Sequence, residues 1–431
     1  MKILLVQSQC FLYPWTGASK ANRCLMEWFA KNGHECKVIN PLISPPGFNE
    51  TTYMEEKSKS GEIEIVHMDE QIHHIRIKGI DSYTVCNNFD IIGFIRKTID
   101  SFQPDVTLVD DQQEFVLLET VCETKSRRVY IAHSQATLPF GPDSFEKKEE
   151  KTPIFQKLDG ILTVSQFMVD YFKKWANLEA TVIYFPSYGE GPFAYLASYD
   201  NPYVTVINPS AYKGYSIFVE LAKRLPDVEF AAVPTWGTGE EELEEMRRIS
   251  NITIIPPCEN VDEIYRQTKV FLMPSLWGES FGQVVVEALL RGLPVIASNV
   301  GGLREAKLGT KYSLSVNPIR EYDEHIRLAG NVLKPVVPEQ DIEPWIQALE
   351  ELLQDRDYYD SISKEAVEKA NEFHQSLSFR HFESYLQRII QQREVNWDDK
   401  KDANDPIQQR LSSLSIEKRE KLLQLLKERR G

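Results

Sequence analysis

The stretch Val270–Ala306, VFLMPSLWGESFGQVVVEALLRGLPVIASNVGGLREA, constrains the chain more than any other. Val270–Met273 is a short apolar run halted by Pro274-Ser275, the pattern of a buried strand ending in a turn. Gly278 and Gly282 bracket Glu279, Ser280 and Phe281 in a tight loop. Gln283–Arg291 is apolar and free of breakers, which predicts a helix, and Gly292 with Pro294 stops it. Leu293–Ala297 predicts a second buried strand. Gly301-Gly302 predicts another close turn, ahead of a helix near Arg304. Strand, glycine loop and helix, repeated, build a doubly wound α/β sheet, in which ligands sit beyond the carboxyl ends of the strands.

Two carboxylates are out of character in this frame. Glu279 lies in the first loop, and Glu287, eight residues on, lies inside an otherwise apolar helix. A carboxylate there is costly unless paired or hydrogen-bonded. The amides of Phe281, Gly282 and Gln283 fall at a helix N-terminus, whose free N–H groups and dipole suit a phosphate. A ribose diol beside a diphosphate would satisfy Glu287, one turn further in. A solvated face or a structural ion pair is the plainer explanation of either Glu taken alone.

Glu279-x7-Glu287 within PSLWGESFGQVVVEALLRGLPVIASNVGGLREA resembles the signature of retaining GT-B glycosyltransferases of family 4, the glycosyl transferases group 1. The close match covers about 35 residues. The resemblance implies two Rossmann-like doubly wound domains facing a cleft, with a C-terminal crossover helix. It implies a nucleotide-diphosphate sugar as donor, Glu279 on the donor sugar and Glu287 on the ribose hydroxyls. The amides around Ser280, Phe281, Gly282 and Gln283 would carry the diphosphate. No metal or other cofactor is implied, and retention is described as same-face attack assisted by the leaving phosphate.

The rest of the chain fits this frame. A length of 431 residues suits two domains. Hydrophobic residues at 42% and charged residues at 26% are those of a soluble globular protein. A net charge of −15 argues against a nucleic-acid footprint. The apolar run in MKILLVQS is too short for a span or signal peptide and reads as a first strand. Six scattered cysteines without a CxxC pair fit a reducing cytoplasm.

Lys2–Gln7, helix Asn22–Asn32 and strand His34–Asn40 form a βαβ start whose turn carries Gly17 and Ala18. By the resemblance this loop lies near donor and acceptor. Pro45–Ser60 is polar and reads as a loop. Ile63–Val66 and Ile72–Ile77 read as a hairpin. His67, His73 and His74 have no ligand spacing for a metal. Helix Ile91–Phe102 and strand Val106–Val109 lead to Asp110-Asp111, a turn or an acceptor contact. Strand Arg128–Ala132 ends at His133, which the resemblance places against the donor sugar; a semi-buried structural His is the alternative. Leu138–Pro142 reads as an ordered loop that could face an acceptor. Gly160–Val164, a helix capped by Ser165 and Thr181–Phe185 complete a domain at residues 1–190, and Pro186–Pro202 marks the hinge.

A second domain, residues 203–374, opens with strand Tyr203–Ile207. Lys213 follows, ahead of helix Ile217–Leu225, placed to meet a phosphate as a point charge. The family pattern has an Arg five residues before this Lys; here Asn208 stands there, which removes one cation from the diphosphate site. Trp236, after strand Glu229–Val233, reads as nucleotide-flanking or as lid or core. Ile252–Ile255 and helix Val261–Gln267 resemble the segment that reads the base. Arg304 and Glu305 either reach the cleft or complement their own helix dipole. Residues 307–342 are less regular. Helices over Ile342–Leu353, Tyr358–Phe373 and Leu377–Gln391 follow, the last the crossover (375–395). Residues 396–431 read as a charged linker and a helix at Leu411–Arg430, which resembles the Leu-Ser-x-Glu-Lys-Arg helices at module edges of nonribosomal peptide synthetases and implies a docking partner.

The reading is a metal-independent retaining glycosyltransferase acting on a small-molecule, peptide or saccharide acceptor, with tailoring of a natural product implied by the terminal segment. A sugar-nucleotide epimerase of the same fold, or a non-catalytic nucleotide-sugar-binding scaffold, are the alternatives.

Overall fold

Short apolar runs alternating with amphipathic segments close into two sheets. The computed structural model describes residues 1–392, apart from residue 15 and residues 44–47, 87–88, 113, 259 and 329–331. The expected linker and helix at 396–431 lie outside the described residues.

The first sheet comprises β1 (Lys2–Gln7), β2 (Glu35–Pro41), β3 (Glu64–Met68), β4 (Ile72–Ile77), β5 (Ile80–Val85), β6 (Val106–Asp110), β7 (Arg127–Ala132), β8 (Gly160–Thr163) and β9 (Thr181–Val182). Their spatial order is β3-β4-β5-β2-β1-β6-β7-β8-β9. Pairing is parallel from β5 to β9, while β3 and β4 add an antiparallel edge. Its helices are α1 (Gly17–Lys31), α2 (Glu50–Lys59), α3 (Ile91–Phe102), α4 (Val116–Cys122) and α5 (Gln166–Ala176).

The second sheet comprises β10 (Tyr203–Ile207), β11 (Phe230–Val233), β12 (Ile252–Ile254), β13 (Thr268–Met273), β14 (Val295–Ser298) and β15 (Ser313–Leu314), ordered β12-β11-β10-β13-β14-β15. All its pairs are parallel. Around it run α6 (Tyr215–Arg224), α7 (Glu240–Arg247), α8 (Asp262–Tyr265), α9 (Gln283–Leu290), α10 (Leu303–Ala306), α11 (Glu343–Gln354) and α12 (Arg356–Ser376). A small hairpin, β16 (Tyr322–Arg327) with β17 (Leu333–Pro335), occupies the stretch that looked irregular in sequence.

Strand order reverses on either side of the β1/β6 pair of the first sheet and the β10/β13 pair of the second, although both pairs are parallel. These are the switch points where loops diverge and leave a crevice. The loops after β10 and β13 carry Lys213 and Glu279.

Burial explains why the central stretch folds as it does. Val270, Phe271 and Leu272 of β13 and Val285, Val286, Ala288, Leu289 and Leu290 of α9 are fully buried. Each such Val, Leu or Phe contributes about 1.5–3 kcal/mol relative to exposure. Ser165 caps α5 by accepting from the Met168 amide, as its sequence position predicts.

Several expectations need correction. Pro45–Ser60 was expected to be a loop, but α2 fills most of it. Asn49 accepts from the Thr52 amide to start the helix, and Met54 anchors it in the core. The strand expected to reach Phe185 pairs only over Thr181–Val182. In the loop at 138–142, Leu138 and Phe140 serve the core. Both are buried, and the Phe140 ring packs against Phe155 and Phe172. His67, His73 and His74 pair with Asp69, Glu50 and Asp81.

After α12 the chain returns to the first half. Phe379 lies 6.0 Å from the Trp28 ring, Phe382 lies 4.5 Å from Phe185, and Glu383 pairs with His34 at 3.1 Å. These residues belong to or flank the start of α13 (Arg380–Gln391). Among the described residues no helix is long and apolar enough to cross a membrane, and all six cysteines are free.

Candidate active site

On the second sheet, backbone contact positions the charges. Lys213 ends a short turn after β10, and Gly214 follows in the left-handed region at φ 78°. A Cβ at Gly214 would lie 1.9 Å from the Pro274 carbonyl oxygen, so only glycine lets this turn rest on the end of β13. The Leu276 amide bonds to the Tyr212 carbonyl and fastens the two loops. The consequence is that Lys213 Nζ donates to Glu279 Oε1 at 2.5 Å. Ser275 Oγ and Trp277 Nε1 donate to the same oxygen at 2.6 and 2.7 Å. Glu279 is therefore a buried carboxylate with three donors, the condition under which burying a charge is tolerated.

The loop's far side is held as closely. The Gly302 amide donates to the Glu279 carbonyl at 2.6 Å. Gly282, at φ 109°, precedes α9 with no side-chain cap, so the helix begins with free amides. A Cβ there would meet Leu303 Cδ2 at 2.5 Å. Glu287 is buried one turn into α9, and Lys20 of α1 donates to its Oε1 at 2.8 Å. Its charge adds to the burial that raises the phenols of Tyr188 and Tyr265.

Asn208 stands apart from the charges. It adopts φ 60°, and its Oδ1 accepts from the Gly237 amide at 3.1 Å and from Thr238 Oγ1 at 3.4 Å. Its side chain thus ties β10 to the turn carrying Trp236, which at 37% exposed is not a core residue.

On the first sheet the polar groups form a neutral network. His133, at the end of β7, sits 2.8 Å from Asn22 Oδ1 through Nε2. Asn22 Nδ2 donates to Gln7 Oε1 at 3.1 Å and to Asp110 Oδ2 at 2.9 Å. The Asn22 oxygen therefore accepts, His133 Nε2 carries the proton and Nδ1 the lone pair. Burial lowers the His133 pKa to about 3. Burial, with the Asp111 charge adding, raises Asp110 to about 7; burial raises Asp111 to about 6. Asn22, expected only as the start of a helix, lies inside α1 and is a site residue that the sequence did not single out. Its signal was a polar residue on the buried face of α1, in register with Ala21, Leu25, Met26 and Phe29.

The two halves meet over these groups. A Cβ on Gly17 would lie 3.2 Å from Gln283 Oε1, so the first turn of α1 faces the first turn of α9. Gln135 Nε2 donates to the Gly278 carbonyl, and Ser280 Oγ donates to Gln135 Oε1 at 2.7 Å. Ser165 Oγ donates to the Ser280 carbonyl. Phe281 turns its ring to Tyr184 and Phe373. Phe145 stacks on Trp277 with centroids 5.4 Å apart. Glu305 neither enters the cleft nor serves its own helix. Its carboxylate accepts from the Gln166 and Phe167 amides of α5 at 2.8 and 2.7 Å, and from Tyr184 Oη at 2.7 Å. Gly17 is exposed and Ala18 beside it half-buried, both in the first turn of α1; the cavity lined by Phe140, Pro142, Lys174 and Trp175 includes neither.

Residues 203–355, which contain Lys213, Glu279 and Glu287, match the family model Glycosyl transferases group 1. The chain is 31% identical over 93 residues to an uncharacterized 42.6 kDa protein in the cps region of Klebsiella pneumoniae, covering 22% of this chain and 25% of that one. It is 30% identical over 152 residues to a D-inositol 3-phosphate glycosyltransferase of Mycobacteroides abscessus, covering 33% and 29%. The matched stretches thus span less than a third of these relatives' length. An Anabaena protein solved in complex with UDP and glucose superposes with a TM-score of 0.62 at 15% identity, over 91% of this chain and all of that one. The fold is GT-B. On it the chain carries a glycosyl transferases group 1 domain.

Proposed function

We propose that this protein is a retaining glycosyltransferase that moves a sugar from a nucleotide-diphosphate sugar to an acceptor hydroxyl. The observation that carries the reading is the grouping of Glu279, Lys213, the uncapped start of α9 and Glu287 at the second sheet's switch point. Phosphate oxygens suit the α9 amides and Lys213. Ribose hydroxyls suit Glu287, and the sugar hydroxyls suit Glu279. The acceptor enters from the first half, between Gly17 and His133, whose neutral ring can exchange hydrogen bonds without carrying charge.

In the proposed step the acceptor oxygen bonds to the anomeric carbon. The bond from that carbon to the diphosphate oxygen breaks, its electron pair leaves with the diphosphate, and the acceptor proton passes to a leaving phosphate oxygen. Lys213 and the helix dipole stabilise the departing charge. They supply positive charge from the protein, so turnover is expected without a divalent cation. Family resemblance supports retention. The acceptor is a small molecule, a peptide or a saccharide.

The test is release of nucleoside diphosphate from UDP-, ADP- and GDP-sugars in the presence of EDTA and an acceptor panel, with the product anomer read by NMR. Retained configuration, with turnover lost in Glu279→Ala, supports the reading. An inverted product contradicts retention. Release from no donor contradicts the activity.

A further inference from the structure

The second half has one lysine, Lys213, at a site suited to a doubly charged diphosphate. Asn208, on the neighbouring strand end, is neutral and occupied by Gly237 and Thr238. We propose that Lys20, reaching across from the first half, is the second cation of this diphosphate site. The assignment rests on the donor-site reading above.

Three observations place it there. First, Gly17 lies against Gln283, so two helix N-termini, those of α1 and α9, converge on one spot. Helix N-termini each carry partial positive charge and attract an anion. Second, Lys20 is in the first turn of α1, and its Nζ lies 2.8 Å from Glu287 Oε1. Glu287 is four residues past the start of α9, about 6 Å along the axis. The ammonium therefore stands within about one helical turn of the free α9 amides. Third, Lys20 keeps 44% of its side chain exposed, whereas Glu287 keeps 11%. Lys20 is not locked in the core, and its flexible stem lets the ammonium move from the carboxylate to a phosphate when ribose takes Glu287.

The alternative role is charge compensation alone: Lys20 neutralises a buried Glu287 and competes with ribose for it. The two roles predict opposite signs. The probes are uridine, adenosine and guanosine 5′-diphosphates, with the matching monophosphates and nucleosides, measured by titration calorimetry on the full chain.

A second cation makes Lys20→Gln weaken the diphosphate that the wild type binds by about tenfold, from loss of one charge-assisted contact. Nucleoside binding should stay within about twofold, and Lys20→Arg should recover most of the loss. The salt dependence of diphosphate binding should also flatten in Lys20→Gln. Equal or tighter diphosphate binding by a Lys20→Gln variant that still unfolds cooperatively overturns the proposal and leaves the donor site standing. Failure of the wild type to bind any of the three diphosphates overturns the donor-site reading, and this assignment with it.

Discussion

At the switch point of the second sheet the polar groups are charged and paired: Lys213 with Glu279, and Glu287 with a lysine from across the cleft. At that of the first sheet the polar groups are neutral or driven toward neutrality: Asn22, Gln7, His133 held near pKa 3 and Asp110 held near 7. The same topology therefore presents two chemistries. Fixed charges next to free helix amides favour a phosphate ester. A desolvated network of amide, imidazole and carboxyl favours a hydroxyl, because burial penalises the charged forms. The difference also affects what holds each half of the site. The charged side depends on close backbone approach at Gly214 and Gly282, whereas the neutral side depends on one helix residue, Asn22, bridging β1, β6 and β7.

The contrast can be broken at several points. Glu279→Ala removes the common acceptor of Lys213, Ser275 and Trp277. Turnover should fall about a hundredfold or more, roughly 3 kcal/mol, while nucleoside diphosphate affinity changes little. Steady-state kinetics beside calorimetry separates the two. Gly214→Ala forces a Cβ onto the Pro274 carbonyl and should lower unfolding free energy by about 3 kcal/mol, with donor binding lost; urea melts and calorimetry read both.

Asp110→Asn tests the neutral side through pH. The folded pKa is about 7, and an exposed Asp titrates near 3.9. Between those values the folded state holds more protons, so wild-type stability falls as pH rises through this window. Asp111 acts in the same direction up to about 6. His133 acts in the opposite direction: with a folded pKa of about 3, it makes stability rise with pH between about 3 and 6.5. The Asn variant should therefore gain up to about 4 kcal/mol over wild type at pH 8, a gain that shrinks toward zero near pH 4. Melting curves at both pH values measure it, and an equal gain at both would place the Asp110 carboxyl outside the desolvated network.

The smallest effect is expected where the halves meet. Glu305→Gln removes the charge from the α5 N-terminus but keeps one acceptor oxygen. A loss of about 1 kcal/mol should appear as a several-fold drop in turnover, with diphosphate affinity unchanged.

The charged side was legible because it is contiguous. Glycines, breakers and two carboxylates within Val270–Ala306 fix a strand, a loop and a helix from local rules, and β/α alternation extends the same frame over both halves. The neutral side was legible only in part: His133 and Asp110 stand out at strand ends, but the residue that joins them does not, and neither does the lysine that crosses to the charged side. Asn22 meets His133 and Asp110 across 111 and 88 residues, and Lys20 meets Glu287 across 267. Glu305 looked like an ordinary first-turn acid because the helix it caps belongs to the other half. Helix α2 was hidden by polar composition, since its stability comes from the Asn49 cap and the burial of Met54 rather than from an apolar stripe.

The most direct measurement of the donor-site claim is the change in melting temperature on adding nucleotide-diphosphate sugars, without metal, to the wild type and to Glu287→Ala. A ligand that binds only the folded state raises the midpoint. A rise with the sugars of one base in the wild type, lost in Glu287→Ala, is the expected result. No rise with any donor, or an equal rise in both proteins, would contradict the claim that Glu287 and the start of α9 form the nucleotide site.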